Sequence, residues 1–113
     1  MNSRIPRVNQ LIQEEVGLIL LREFDPPDGA LVTVTRVDAS GNLQEAKVYI
    51  SVMPEARNEE VMLALGRGIY SIQQMLNKRL AMRPVPRIRW ATETKTSQAQ
   101  RIEELLEEVK KKQ

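Results

Sequence analysis

The run from Ala46 to Met53 alternates without a break. Ala46, Val48, Ile50 and Val52 fall on one side of an extended chain, and Lys47, Tyr49, Ser51 and Met53 on the other. A strand with that period shows one face to water and buries the other. A second extended run, Leu31 to Asp38, rich in Val and Thr, lies upstream across the turn-forming stretch Ala39-Ser40-Gly41-Asn42-Leu43. The two read as an antiparallel hairpin with one face in need of cover.

Helical stripes on either side supply that cover. Ile5, Val8, Leu11, Ile12, Val16, Ile19 and Leu20 predict an amphipathic helix from about Pro6 to Phe24, with Ser3 as a candidate cap and Pro6 in the first turn. Asp25-Pro26-Pro27-Asp28-Gly29 ends it. Downstream, Val61, Met62, Leu65, Ile69, Ile72, Met75, Leu76 and Leu80 form a second stripe, with Asn58 as a candidate cap and Glu59 and Glu60 in the first turn. Unbroken from Asn58 to Ala81, that helix would run about 36 Å. Gly66 and Gly68 inside it each cost roughly 1 kcal/mol against Ala. A kink at Gly66 and Gly68, giving two successive helices, is the economical reading. After Pro84-Val85-Pro86, the residues Ile88, Trp90 and Thr92 alternate with Arg87, Arg89 and Ala91 as a third strand. Thr96 or Ser97 caps a last helix over about 97–111, with Ile102, Leu105, Leu106 and Val109 as its stripe. The expected architecture is α+β: helix-strand-strand-helix-helix-strand plus a C-terminal helix, with the helices on one face of a three-stranded sheet. Residues 1–113 form one domain in this reading, with a core over about 4–95.

Composition narrows the chemistry. With no Cys and no His, the chain lacks the usual zinc ligands, the commonest catalytic base and a thiol nucleophile. The adjacent acid pairs Glu14-Glu15, Glu59-Glu60 and Glu103-Glu104 are helix neighbours that do not face each other, so none makes a carboxylate dyad. Gly66-Arg67-Gly68 follows no strand and precedes no Gly-Lys-Ser/Thr, so it is not a phosphate loop. No enzyme, metal or cofactor is expected, and no small-molecule substrate. The start Met1-Asn2-Ser3-Arg4 has no apolar stretch behind it, and the run from Val16 to Leu21 is too short to span a bilayer. A cytoplasmic monomer without a membrane partner is expected.

Charge distribution says more than the net value of +2. Residues 1–61 carry 6 basic and 10 acidic side chains, residues 62–101 carry 8 basic and one acid, Glu93, and residues 102–113 carry 4 acids and 3 lysines. One strongly basic stretch inside a nearly neutral chain is the pattern of a polyanion-binding face. Lys78, Arg79, Arg83, Arg87, Arg89 and Lys95 are its candidate phosphate contacts, and Arg4 and Arg7 on the first helix extend the surface. The bland alternative is a solvated face. Arg87 and Arg89 share a strand face opposite Ile88 and Trp90. Trp90 is expected in the core with Ile88, and the low aromatic content argues for recognition of a polyanion's shape and backbone rather than base stacking.

Several segments also resemble a known family. They are Val32-Thr33-Val34-Thr35-Arg36-Val37-Asp38, Ala46-Lys47-Val48-Tyr49-Ile50-Ser51, Arg7-Val8, Leu18-Ile19-Leu20 with Arg22-Glu23, Asp25-Pro26, Leu76-Asn77-Lys78-Arg79-Leu80 with Arg83, and Pro86-Arg87-Ile88. In this order, from about Arg4 to Arg89, the chain resembles the ribosome-binding factor A family. The resemblance implies a type II KH-like fold, binding to the free or immature small (30S) ribosomal subunit, and assistance in late maturation of its 16S rRNA. The chain departs from the family pattern in three places. Where the family carries an Ala-x-Gly kink, the matching positions read as Gly68, Ile69 and Tyr70, so that Gly66 or Gly68 must supply the flexibility. Asn42 stands where an acid is usual in the hairpin loop, and a short helix of mixed charge replaces the usual C-terminal extension. The rival readings are a generic single-stranded RNA-binding KH module, against which the missing GxxG loop counts, and a protein–protein adaptor.

Overall fold

The computed structural model describes residues 4–93. Ser3, Lys95 and the helix expected over about 97–111 lie outside the described residues. The elements are α1 (Ile5–Glu23), a 3-10 turn at Pro27–Gly29, β1 (Leu31–Ala39), β2 (Glu45–Met53), a 3-10 turn at Glu55–Arg57, α2 (Asn58–Arg67), α3 (Ile69–Arg79) and β3 (Arg87–Thr92). The sheet order is β1-β2-β3, with β1 antiparallel and β3 parallel to β2. All three helices pack on one face: α1 on β1, α2 on β2 and β3, and α3 between α1 and β3. Between the layers lie Ile12, Val16, Val48, Ile50, Val61, Leu65, Leu76 and Ile88, all buried.

Strict alternation alone would not put all of β1's apolar residues in that core. Val32 and Val34 pack toward it, and so do Val37 and Ala39, although the two pairs differ in parity. A β-bulge resolves the conflict. The register steps from Val34 opposite Ile50 to Arg36 opposite Tyr49, leaving Thr35 as the extra residue. Gln13 of α1 donates to the Val34 and Thr35 carbonyls there.

The hairpin loop is closed by side chains. Asn42 Oδ1 accepts from the Ser40 hydroxyl at 2.7 Å and from the Gln44 N–H at 3.1 Å. A carboxylate at this position could accept the same two bonds.

The long helical stretch breaks at Gly68, whose backbone (φ −92°, ψ 3°) ends α2 and starts α3. Gly66 lies inside α2, so the kink belongs to Gly68 alone and not to the pair expected from sequence. Tyr70 lies inside α3, so matching the family's kink to Gly68-Ile69-Tyr70 places its third position two residues past the break. The triplet that ends on the break is Gly66-Arg67-Gly68. The φ at Gly68 is negative, and a Cβ there would meet its nearest neighbour, the Ala64 carbonyl, at an ordinary 3.6 Å. Packing therefore holds the break. Trp90 Nε1 donates at 2.8 Å to the Leu65 carbonyl, one of the acceptors in the last turn of α2. Asn58, expected as a cap, is the first residue of α2 and makes no capping bond.

Candidate nucleic-acid interface

The outer face of the sheet is covered by none of the described helices. Across it run Arg36 and Asp38 from β1, Glu45 and Lys47 from β2, and Arg87 and Arg89 from β3, all exposed. Lys47 stands opposite Arg89 and Glu45 opposite Arg87 in the parallel register. Arg87 and Arg89 thus share a face, as their spacing implied, and Lys47 joins them. Arg89 reaches the Glu45 carboxylate at 3.5 Å, an exposed pair of small energetic weight.

Glu93, the one acid of the basic stretch, is withdrawn from solvent. It is 8 % exposed, and its Oε2 accepts from the Thr35 hydroxyl at 2.9 Å and from Arg36 Nε at 3.0 Å. The Arg36 guanidinium lies 3.6 Å from the centroid of the Tyr49 ring. Donating this hydrogen bond to Glu93 raises the pKa of Arg36 above its ordinary value. The negative charge that would oppose a phosphate is thereby neutralised at the bulge.

At the start of β3 a groove of about 540 Å³ opens between α3 and the chain entering the strand. Tyr70, Gln73, Gln74 and Asn77 line it from α3, and Arg83, Pro84, Val85 and Arg87 from the other side. Gln73 builds this geometry. Its Oε1 accepts from the Ile88 N–H at 2.8 Å, and its Nε2 donates to the Pro86 carbonyl at 3.1 Å and to Asn77 Oδ1 at 3.0 Å. The carboxamide thus pairs with the open edge of β3 as a neighbouring strand's peptide group would. Arg83 is held by its own turn, with Nη1 donating to the Leu80 and Met82 carbonyls at 2.7 Å each.

The other expected cations fall into two further groups. Arg4 and Arg7 flank a cleft with Leu80, Ala81 and Met82, on the turn that leads into Arg83. Lys78 and Arg79 line a cleft between α1 and α3 with Arg22 and Glu23, and Arg79 is ion-paired to Glu15. The cations expected on one surface are therefore divided. Arg83 joins Arg87 in the groove, Arg87 joins Arg89 on the sheet, Arg4 and Arg7 border the intervening turn, and Lys78 and Arg79 lie along the helices. Sequence reasoning overlooked Tyr70, Gln73, Gln74, Asn77 and Lys47. Tyr70, Gln73 or Gln74, and Asn77 recur at helical spacing opposite the buried Ile72 and Leu76, a polar stripe legible once α3 is known to face β3.

A two-strand hairpin, a broken helix pair and a returning parallel strand behind a leading helix, together with a cationic groove at the last strand, define a KH-like domain of the second type. The family model for ribosome-binding factor A matches residues 4–106, and the chain belongs to that family. A ribosome-binding factor A from Chlorobium phaeobacteroides is 34 % identical over 116 residues, covering 100 % of this chain and 99 % of that protein. The crystal structure of ribosome-binding factor A from Thermus thermophilus has the same fold, with a TM-score of 0.68 at 23 % identity over 77 % of this chain and 93 % of that one. A homology model of the Thermus thermophilus factor, fitted into a cryo-electron-microscopy map of its complex with the 30S subunit, gives 0.65 at 23 % identity over 77 % and 92 % of the two chains.

Proposed function

We propose that the protein binds the free or immature small ribosomal subunit through phosphates of its 16S rRNA and assists maturation of that RNA, acting as a cytoplasmic monomer that catalyses no reaction. The carrying observation is the segment from Leu80 to Arg89. It brings Arg83 and Arg87 into one groove and Arg87 and Arg89 onto one open sheet face, while Glu93, the one acid of residues 62–101, is neutralised by Arg36. Lysine and arginine contacts to phosphate release counterions and supply most nucleic-acid affinity. The 30S complex of the Thermus thermophilus factor supports the choice of polyanion.

The groove and the sheet face meet at Arg87, so Arg87→Glu with Arg89→Glu tests both. Arg83 is left intact because it closes its own turn. The double variant is expected to lose co-sedimentation with small subunits in a sucrose gradient while its melting curve stays in place. In a binding titration, affinity should fall steeply with salt, with a log–log slope shallower by about 2 in the variant, roughly one for each phosphate no longer neutralised. Undiminished co-sedimentation, or an affinity indifferent to salt, refutes the phosphate contact.

A further inference from the structure

The outer face of the sheet has two unlike halves. At the end where the chain leaves β3, Leu31 and Met53 stand opposite each other, 64 % and 52 % exposed, and the paired Tyr49 and Ala91 lie next along the face. Toward the other end stand Lys47, Arg87 and Arg89. Exposed apolar side chains alone say little; the chain that follows makes these informative. Glu93 sets its exit on this face. The Glu93 N–H donates to the Ile50 carbonyl at 2.9 Å, and the carboxylate crosses β2 to Arg36. Residues 94–113 lie outside the described residues, and their sequence carries the complement of both halves. Ile102, Leu105, Leu106 and Val109 form an apolar stripe at helical spacing, and Glu103, Glu104, Glu107 and Glu108 flank it.

We propose that residues 102–109 dock as a helix on the outer face of the sheet and hold the ground on which rRNA phosphates bind, so that RNA must displace them. This rests on the reading of Arg87 and Arg89 as phosphate contacts and adds a competitor for them within the same chain. Reach permits it. The eight residues 94–101 span up to about 26 Å when extended. The distance from β3 across to β1 is roughly 10 Å, and from Glu93 back along β3 to Arg87 about 20 Å. Spacing fits as well. Glu103 and Glu107 lie one helical turn apart, about 6 Å, and Arg89 and Arg87, two strand residues apart, are separated by about 6.6 Å. With the stripe centred over Tyr49 and Ala91, these two glutamates face those arginines. Lys110, Lys111 and Lys112 then fall toward Glu45 and Asp38, the exposed acids at that end of the face. Tethering supplies an effective concentration in the millimolar range, so a contact too weak to hold a separate peptide still covers the face much of the time. Affinity for RNA is then reduced in proportion to the fraction of chains whose face is open.

Two measurements on the full chain test this. The sequence has no Cys, so Lys110→Cys gives a single site for a nitroxide spin label. The label should broaden the amide signals of Lys47, Tyr49 and Arg89 more than those of α2, and dilution should leave the broadening unchanged. Leu105→Ala with Leu106→Ala removes the stripe without altering charge. In titrations against purified small subunits at low salt, this double variant should bind roughly two- to tenfold more tightly than the parent. The gain should shrink as salt screens the ion pairs that hold the segment down. Glu103→Gln with Glu107→Gln should also tighten binding, and by more than the equal charge change Glu59→Gln with Glu60→Gln on α2. If no broadening is seen and the leucine variant binds as the parent does, while Arg87→Glu with Arg89→Glu weakens binding, the docking is wrong and the phosphate reading stands. If neither double variant changes binding, both fail. Broadening without tighter binding, or with weaker binding, overturns the competition. Broadening that fades on dilution assigns the face to the segment of a second copy and overturns docking within one chain.

Discussion

Truncating Gln73 to Ala removes the hydrogen-bonded link between α3 and the entry of β3. The substitution removes the acceptor of the Ile88 N–H and the donor to the Pro86 carbonyl, and frees Asn77. A hydrogen bond contributes about 0.5–1.5 kcal/mol net, and a half-buried backbone group left without its partner costs about 1–3 kcal/mol. Water reaches part of this edge, so the loss should be about 2–4 kcal/mol, against a total of about 5–15 kcal/mol for a domain of this kind. The corresponding fall in melting temperature is about 10–20 °C. Urea unfolding followed by the fluorescence of Trp90, two residues from Ile88, should show an earlier midpoint with an unchanged slope. Hydrogen exchange at the Ile88 amide should lose its protection. Gln73→Glu keeps an acceptor for Ile88 but has no donor for Pro86, so it should recover part of the stability. It also sets a carboxylate facing Arg83 and Arg87, so it should bind small subunits less well than its stability implies. If Gln73→Ala shifts stability by less than about 0.5 kcal/mol and Ile88 stays protected, the pairing of the carboxamide with the strand edge is not what holds β3.

Other expectations are simpler. Gly66→Ala should stabilise the protein by about 0.5–1 kcal/mol in a urea titration, because the site is helical and a Cβ there meets nothing within 4 Å. Gly29→Ala should destabilise by about 1–2 kcal/mol in the same assay, because Gly29 sits at φ 68°, where an L side chain crowds its own carbonyl. Glu15→Gln frees Arg79 from its ion pair. Stability should change by no more than about 1 kcal/mol, while binding to small subunits tightens and its salt dependence steepens; unchanged salt dependence would remove Arg79 from the interface.

Much of the fold was legible because periodicity changes so sharply along the chain. The alternation from Ala46 to Val52 and the stripes of Val8, Ile12 and Val16 or Leu65, Ile72 and Leu76 each admit one way of burying their apolar side, and those residues are the buried ones. The bulge at Thr35 was not legible. A single extra residue in a Val- and Thr-rich run leaves composition unchanged and declares itself only through the register against β2. Residue type also could not separate Gly66 from Gly68, since either glycine tolerates a break; the position of Trp90 against Leu65 decides it. The basic stretch was visible in the charge count, but its division was not. That Arg79 would meet Glu15, or Arg89 meet Glu45, depends on contacts between elements far apart in sequence.

The division of the cations bears on how the surface can work. A loose scatter of lysines on flexible stems would lose side-chain freedom at every contact with RNA. Around β3 the frame is already set. Gln73 fixes the edge of the strand, Arg83 is tied to two carbonyls of its turn, and β2 fixes the spacing of Arg87 and Arg89. A phosphate meeting Arg87 therefore meets a cation whose backbone position is held, with a second cation on the sheet and a third in the groove. The Arg22, Lys78 and Arg79 group lies along the helices and already carries Glu15 and Glu23 as competitors, so it is suited to long-range attraction more than to a fixed contact. The two groups should then separate kinetically. Charge removal at Lys78 should slow association with small subunits at low salt, whereas charge removal at Arg87 should speed dissociation at all salt concentrations, because steering acts on encounter and a held contact acts on release. Stopped-flow association and chase experiments on Lys78→Ala and Arg87→Ala would measure both, and identical rate signatures for the two variants would refute this division of labour.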